Sequence, residues 1–361
     1  MAEEPERRWL DPGVPTTRAE VVQVQSTREE TSLLFGRLAP AGADAEPRAR
    51  LERRIVLPPG IAKQLAAALA EAVRAVEQGV NATPAGITQS AAGVDAAPAA
   101  AQPLFRLVQA LGIGFGFEKS FKLSPAGLQD ERIILGVRTG IVPAQALIGI
   151  CREIGMPPDY LEHFARALPE ANTAGFGYEG DERGGSFKVY LEFWDRLRWR
   201  LQVEPENHAP RALFLGFKWQ ARDPAQRALA RYTCHPLLAV PALLDRLQAL
   251  YPAADAPSLA AARDLLALAA GRVGDDSFVY VEAEEEGNPR RSFDLNLYKA
   301  RLSVGDLQPV LAPLAKRYGI GAQALRRLME QAAARPFGHL SGGLGRDGRD
   351  FLTVYYELEG L

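Results

Sequence analysis

The stretch Lys188-Val189-Tyr190-Leu191-Glu192 alternates polar and apolar side chains, and the same two-residue period recurs along the last two-thirds of the chain. Successive side chains of an extended strand point to opposite faces, so Lys188, Tyr190 and Glu192 share one face and the apolar residues the other. The same division gives Glu118 beside Gly114 and Gly116, Arg138 beside Gly136, and Lys218 beside Gly216 and Gln220. Further on it gives Tyr280 and Glu282, Asp294, Asn296 and Tyr298, His339 and Ser341, then Thr353, Tyr355 and Glu357. Arg138, Lys188 and Lys218, with Arg231 as a fourth, could converge on one anion such as a diphosphate. Tyr190, Tyr298, Tyr355 and Tyr280 offer hydroxyl donors and π faces. If an allylic diphosphate ionises, the cations stabilise the departing pyrophosphate and the aromatic faces shield the allyl cation. A carboxylate near the acceptor, best Glu118, then takes the proton released on substitution.

These residues need a scaffold that turns them toward a common space. Polar alternation usually marks the wet face of an antiparallel sheet, with its lysines and tyrosines merely solvated. Recurrence over five strand pairs whose apolar sides are followed by helices favours enclosure instead. The pairs are 113–123 with 132–139, 174–179 with 186–194, 213–220 with 231–238, 278–284 with 292–301, and 338–344 with 351–359. Helical stripes lie between them: Leu147, Ile148 and Cys151, then Leu161 and Phe164; Leu243 and Leu247, then Leu259 and Leu266; Leu311 and Leu314, then Leu325 and Leu328. Only a polar loop is expected at about 200–211. Strands arriving in antiparallel pairs exclude a doubly wound parallel sheet. The expected fold is α+β: a ten-stranded antiparallel barrel surrounded by helices in αββα repeats, preceded by a small β-plus-helix domain.

That domain is expected over residues 1–80, with strands at 21–25, 32–38 and 53–57 and a helix at 61–78. An Ala/Gly/Pro-rich linker follows over 81–102, and the barrel over 103–361. With 361 residues and 47% apolar composition the chain can bury one large core and a smaller one. A formal charge of -2 exerts no general pull on nucleic acid or anionic membrane, so neither is an expected partner. The two cysteines, Cys151 and Cys234, read as buried thiols. No apolar run approaches spanning length and Met1 to Arg8 lacks an apolar signal core, which points to the cytoplasm.

Competing motifs carry less. The glycines of 112–116 and 342–345 do not open a helix within a βαβ unit, so they are not phosphate loops. The four histidines have no paired ligand spacing, so no structural metal is expected. Glu282, Glu284, Glu285 and Glu286 read as a solvated strand end that leaves magnesium as the one cofactor still open.

Two resemblances follow from these residues. The run Arg54-Ile55-Val56-Leu57-Pro58, with Ala62, Lys63 and Leu65, resembles the bacterial domain of unknown function 3467, which implies no chemistry. The paired strands, Lys188-Val189-Tyr190 and the final Leu352-Thr353-Val354-Tyr355-Tyr356 resemble the aromatic prenyltransferases of the αββα (ABBA, or PT) barrel type, in the indole or dimethylallyltryptophan synthase-like branch, over about 103–361. The resemblance implies a transferase, of the kind found in bacterial secondary metabolism. It would move a prenyl group from dimethylallyl or geranyl diphosphate to an indole, a tryptophan or a peptide side chain. Arg138, Lys188, Lys218, Tyr190, Tyr298 and Tyr355 would hold the diphosphate and Glu118 would contact the acceptor.

The sequence departs from that family at Asp294-Leu295-Asn296-Leu297-Tyr298, where an Arg-x-Lys-x-Tyr pattern stands in the relatives. Exchanging a cation about 4 Å from an anion for a carboxylate changes the Coulomb energy by several kcal/mol at an effective dielectric near 20. Asp294 recruits a divalent cation, or Arg231 or Lys299 compensates, or the lumen takes another ligand. The alternative function is a non-catalytic barrel that binds an anionic or aromatic small molecule or peptide. In that case the N-terminal module would mediate partner contact, including a homodimer through its strand edges.

Overall fold

In the computed structural model the described residues are 21–26, 30–38, 49–58, 61, 62, 65 and 97–359, apart from 182, 205, 253, 254 and 275–277. The contacts divide the chain into two units, 1–90 and 91–361. In the first, β1 (Val21–Ser26), β2 (Thr31–Leu38) and β3 (Ala49–Leu57) form an antiparallel meander. Arg54 ties β3 to β2 through Ser32 Oγ, at 3.1 Å. Most of the helix expected at 61–78 lies outside the described residues.

The second unit holds ten strands that close on themselves. In chain order they are β4 (Gly116–Ser124), β5 (Gly127–Arg138), β6 (Thr173–Glu179), β7 (Ser186–Glu192), β8 (Arg211–Gln220), β9 (Arg227–His235), β10 (Val279–Glu285), β11 (Asn288–Asn296), β12 (Phe337–Leu344) and β13 (Asp350–Glu359). Each is antiparallel to its neighbours, and β13 pairs with β4 to complete the circle. One end of the barrel carries the five tight hairpins, and the other carries the helical connections. The closed ten-stranded barrel expected from the paired strands is therefore the fold found.

Eight helices accompany these strands among the described residues: α1 (Gln102–Gln109), α2 (Ala144–Glu153), α3 (Pro158–Ala167), α4 (Trp194–Val203), α5 (Val240–Ala249), α6 (Pro257–Ala270), α7 (Gln308–Arg317) and α8 (Ala322–Ala332). Their apolar stripes and the outer sides of the strands make two cores. In one, Leu104, Leu147 and Phe164 pack with Phe176, Phe217 and Trp219; in the other, Leu243, Leu265 and Leu314 pack with Phe293, Leu340 and Val354. Both cysteines are free and buried, and no described helix is long and apolar enough to cross a membrane.

Three expectations about elements are corrected. Residues 97–102, read as linker, belong to the barrel unit, where Ala97 and Ala101 are buried and α1 begins. The loop expected near 200–211 is preceded by α4, whose sequence Trp-Asp-Arg-Leu-Arg-Trp-Arg-Leu-Gln-Val has too thin an apolar stripe to declare itself. Its Leu197 and Leu201 pack with Leu213, Cys234 and Val281 in a third, small cluster that also includes the lumen-lining Phe214 and Tyr232. Strand β11 ends at Asn296, and Tyr298 opens a short 3-10 turn instead of continuing the strand.

Candidate functional site

The register fixes which side chains share the lumen. One row runs Glu118, Ile134, Gly177, Lys188, Lys218, Ala228 across β4 to β9, and the next runs Ser120, Arg132, Glu179, Ser186, Gln220 across β4 to β8. The lumen holds two adjoining cavities, of about 420 Å³ toward the helical end and about 310 Å³ toward the hairpin end. Lys188, Arg290, Ser341 and Tyr355 line both.

The hairpin-end cavity is cationic. Lys188, Lys218 and Arg132 all bind the carboxylate of Glu179, with Lys218 Nζ at 2.7 Å from Oε2, and Arg132 Nε also donates to Ser120 Oγ at 3.1 Å. Burial alone would raise the Glu179 pKa, but Arg132, Lys188 and Lys218 outweigh it and hold the group well below the usual carboxylate range. Arg290 and Arg346 share a second buried carboxylate, Glu285, with Arg346 Nε at 2.6 Å from Oε2. Lys122 lies over the Phe351 ring, its Nζ 4.6 Å from the centroid, and has no carboxylate within ion-pair distance among the described residues. Burial first, then the charges of Arg132, Lys218 and Arg290, bring its pKa down to about 8. Burial, helped by the charges of Lys218, Arg132 and Arg290, likewise brings the Lys188 pKa well below the ordinary ammonium value against the pull of Glu179. Six basic groups thus surround two carboxylates, with Asp181 and Asp347 as the further acids on the cavity wall. This leaves a positive potential that an anion would satisfy.

The helix-end cavity has the opposite balance. Glu118, Glu192, Asp294 and Glu357 line it with Tyr190, Tyr232 and Trp194. His339 joins two of the acids, its Nδ1 2.8 Å from Asp294 Oδ2 and its Nε2 3.4 Å from Glu118 Oε2. Burial would lower the His339 pKa, yet the charges and hydrogen bonds of Asp294 and Glu118 hold it well above the ordinary imidazole value. Both ring nitrogens face carboxylates, to which the protonated ring donates, and the ring is stacked on Tyr355 at 4.0 Å between centroids. Tyr298 OH donates to Glu118. Despite burial, the bonds from His339 and Tyr298 bring the Glu118 pKa down. Glu192 accepts from Trp194 Nε1 at 2.8 Å, and burial, the largest influence on it, moves its pKa up.

Two glycines make room for this wall. A Cβ on Gly216 would come within 3.1 Å of both the Tyr190 and Tyr232 rings, and one on Gly338 would meet the Tyr298 ring at 2.4 Å. Bare backbone at these places lets the phenol rings lie against the sheet.

The sequence-derived residues fall into two groups. Glu118, Lys188, Tyr190, Asp294, Asn296, Tyr298, His339 and Tyr355 line the helix-end cavity, and Lys218 and Thr353 the hairpin-end one. Arg138, Arg231 and Tyr280 are placed differently. Arg138 has the inward register but stands exposed at the end of β5, beyond the lumen wall. Arg231 lies on the outer face of β9, two-thirds exposed and 3.0 Å from Glu286, because the alternation there is offset by one: Ala230 and Tyr232 face in. Tyr280 and Glu282 also face out. Glu282 receives the Tyr280 hydroxyl at 3.1 Å and Nε and Nη2 of Arg246 in α5 at 2.8 and 2.9 Å, while Val281 and Ala283 take the inner side of β10. Neither Arg231 nor Lys299 compensates Asp294; His339 does. Sequence reasoning missed Lys122, Arg132, Glu179, Tyr232 and Arg290. Extending the alternation of Glu118 to Lys122, of Arg138 back to Arg132 and of Gly175 on to Glu179 would have found three of them. Arg290 lay hidden in what read as a turn. Among the described residues no three His, Cys, Asp or Glu side chains are grouped as a metal requires.

Comparison with known proteins gives two kinds of match. A family described as protein of unknown function (DUF3467) matches residues 3–80. No curated protein matches the chain. Among solved structures the chain is similar to 5-dimethylallyl tryptophan synthase from Streptomyces coelicolor in complex with DMASPP and Trp, at 15% identity over 73% of this chain and 90% of that one, with a TM-score of 0.49. It is similar to the apo form of prenyltransferase PriB, at 14% identity over 74% and 92%, with a TM-score of 0.48. It is also similar to AnaPT from Neosartorya fischeri, at 11% identity over 68% and 80%, with a TM-score of 0.41.

Proposed function

We propose that the barrel transfers an allylic prenyl group from a prenyl diphosphate, dimethylallyl or geranyl, to an aromatic acceptor such as an indole, a tryptophan or a peptide side chain. The observation that carries this reading is the polarised lumen: a cation-rich cavity adjoins one walled by phenols and carboxylates, and Lys188, Arg290 and Tyr355 line both. The diphosphate would lie among Lys122, Lys188, Lys218, Arg132 and Arg290, with its allyl tail toward Tyr190, Tyr232 and Tyr355. The allylic C–O bond breaks and pyrophosphate leaves with the electron pair. A ring carbon of the acceptor bonds to the allyl cation, and the arenium ion formed loses its proton to Glu118. An arenium ion is a strong acid, so a carboxylate held below its ordinary pKa suffices as acceptor. Cationic side chains supply charge that would otherwise fall to magnesium, and the reading includes no metal step.

Glu179 favours a second reading, a barrel that binds such a ligand without turnover, because it already occupies the centre of three cations. One experiment separates the two. The protein is incubated with dimethylallyl or geranyl diphosphate and a panel of indoles, with and without magnesium, and pyrophosphate release is followed. Release that needs both substrates and is lost in Lys188→Ala supports transfer. Calorimetric binding with no release across the panel selects the silent barrel.

A further inference from the structure

Lys188 and Lys218 are direct cross-strand partners on β7 and β8. Two ammonium groups facing each other on neighbouring strands repel, and removing them from water adds to the cost. Arg132 brings a third cation to the same place, since it is the cross-strand partner of Glu179. All three bind the one carboxylate, whose side chain is 13% exposed. Without an anion at their centre these groups would be driven apart.

We infer that Glu179 is a built-in counter-anion that holds the three cations together when no ligand anion is bound and grades the affinity of the site for an arriving polyanion. The inference rests on the reading of the hairpin-end cavity as a diphosphate site and adds a specificity-determining residue to it. A diphosphate approaching Lys188 and Lys218 meets the charge of Glu179 within the same low-dielectric space. The remaining attraction comes from Lys122 and from Arg290 and Arg346, which share a single carboxylate. Repulsion from Glu179 grows with the charge of the ligand, so the resident carboxylate lowers the affinity for a polyanion more than for a singly charged anion and narrows the spread between them. A ligand with three negative charges is affected more by Glu179 than one with one or two.

Glu179→Gln keeps the size and much of the hydrogen bonding and removes the charge. Inorganic pyrophosphate and inorganic phosphate are titrated calorimetrically into the full chain and into Glu179→Gln at one ionic strength, and thermal midpoints are recorded over a range of pyrophosphate concentrations. Pyrophosphate is expected to bind the variant at least about tenfold tighter than the parent, with a smaller gain for phosphate. The variant without anion is expected to melt below the parent and to be raised further by pyrophosphate than the parent is. A folded variant that binds pyrophosphate equally or more weakly overturns the inference and leaves the anion site standing. A variant that stays unfolded at saturating pyrophosphate also overturns it, because an external anion then fails to replace the carboxylate. Absence of pyrophosphate binding by both proteins overturns the inference and the diphosphate reading together.

Discussion

His339 and Glu179 are the two residues that give the lumen its internal charge pattern, and they titrate in opposite senses. The pKa of His339 is raised in the fold from 6.5, so its contribution to stability is complete below the unfolded value and is lost as pH rises through the folded one. That of Glu179 is depressed from 4.5, so its contribution is complete above the unfolded value and is lost as pH falls through the folded one. Asp294→Asn removes the stronger partner of His339. The expected result is a lower His339 pKa, seen in the NMR titration of its ring protons, and an alkaline loss of stability that begins at lower pH. Glu179→Gln should flatten the acid limb of a urea-denaturation series while leaving the alkaline limb in place. The residues behind these predictions were unequally legible. His339 and Asp294 followed from strand alternation, but their pairing needs β11 and β12 to be neighbours in the right register, which no local pattern states. Tyr280 was misassigned because alternation gives two faces without saying which is inside. There, small apolar side chains face the lumen and a tyrosine–glutamate pair faces a helix.

At the scale of elements, helices are fixed to the barrel by apolar stripes and by a few polar clips. Asp350, at the start of β13, accepts from the Ser258 backbone N–H at 2.9 Å, from the Ser258 hydroxyl and from Tyr318 OH at 2.5 Å. It thereby joins the first turn of α6 and the end of α7 to one strand, and it satisfies a helix N-terminal donor that burial would otherwise leave unpaired. Asp350→Ala is expected to cost about 2 kcal/mol or more in equilibrium unfolding, with increased amide exchange in α6. Phe217, 1% exposed on the outer side of β8 between the rings of Tyr160 and Phe164, is expected to cost about 3 to 5 kcal/mol when truncated to Ala. Elements with full apolar stripes, such as α5, α6 and α8, were readable from sequence. Helix α4 was not, because its arginines outnumber its leucines and its role is to cover a small apolar cluster at one wall.

For the whole molecule, closure decides everything else. The pairing of β13 with β4 brings Glu357 opposite Glu118 and Thr353 opposite Lys122, so the last strand completes both cavities. A chain ended after residue 349 leaves β4 and β12 with unpaired edges and removes Tyr355. It is expected to elute as aggregate in size-exclusion chromatography and to lose cooperative unfolding by circular dichroism. Barrel closure was expected from paired strands with helices on their apolar side, because ten such strands have few other ways to bury both faces. The polarity of the lumen was not, because cations and acids from nine strands must be summed in three dimensions before one end differs from the other.

The same seam between β13 and β4 has a meaning for biosynthesis. Strand β4 is made early and waits for β13, more than 200 residues later, before its second edge is covered. Throughout translation the nascent sheet offers sticky margins and half-solvated lysines and glutamates to whatever surrounds the ribosome. Chaperone demand and yield in a recombinant host should therefore depend on how quickly β13 emerges and docks on β4.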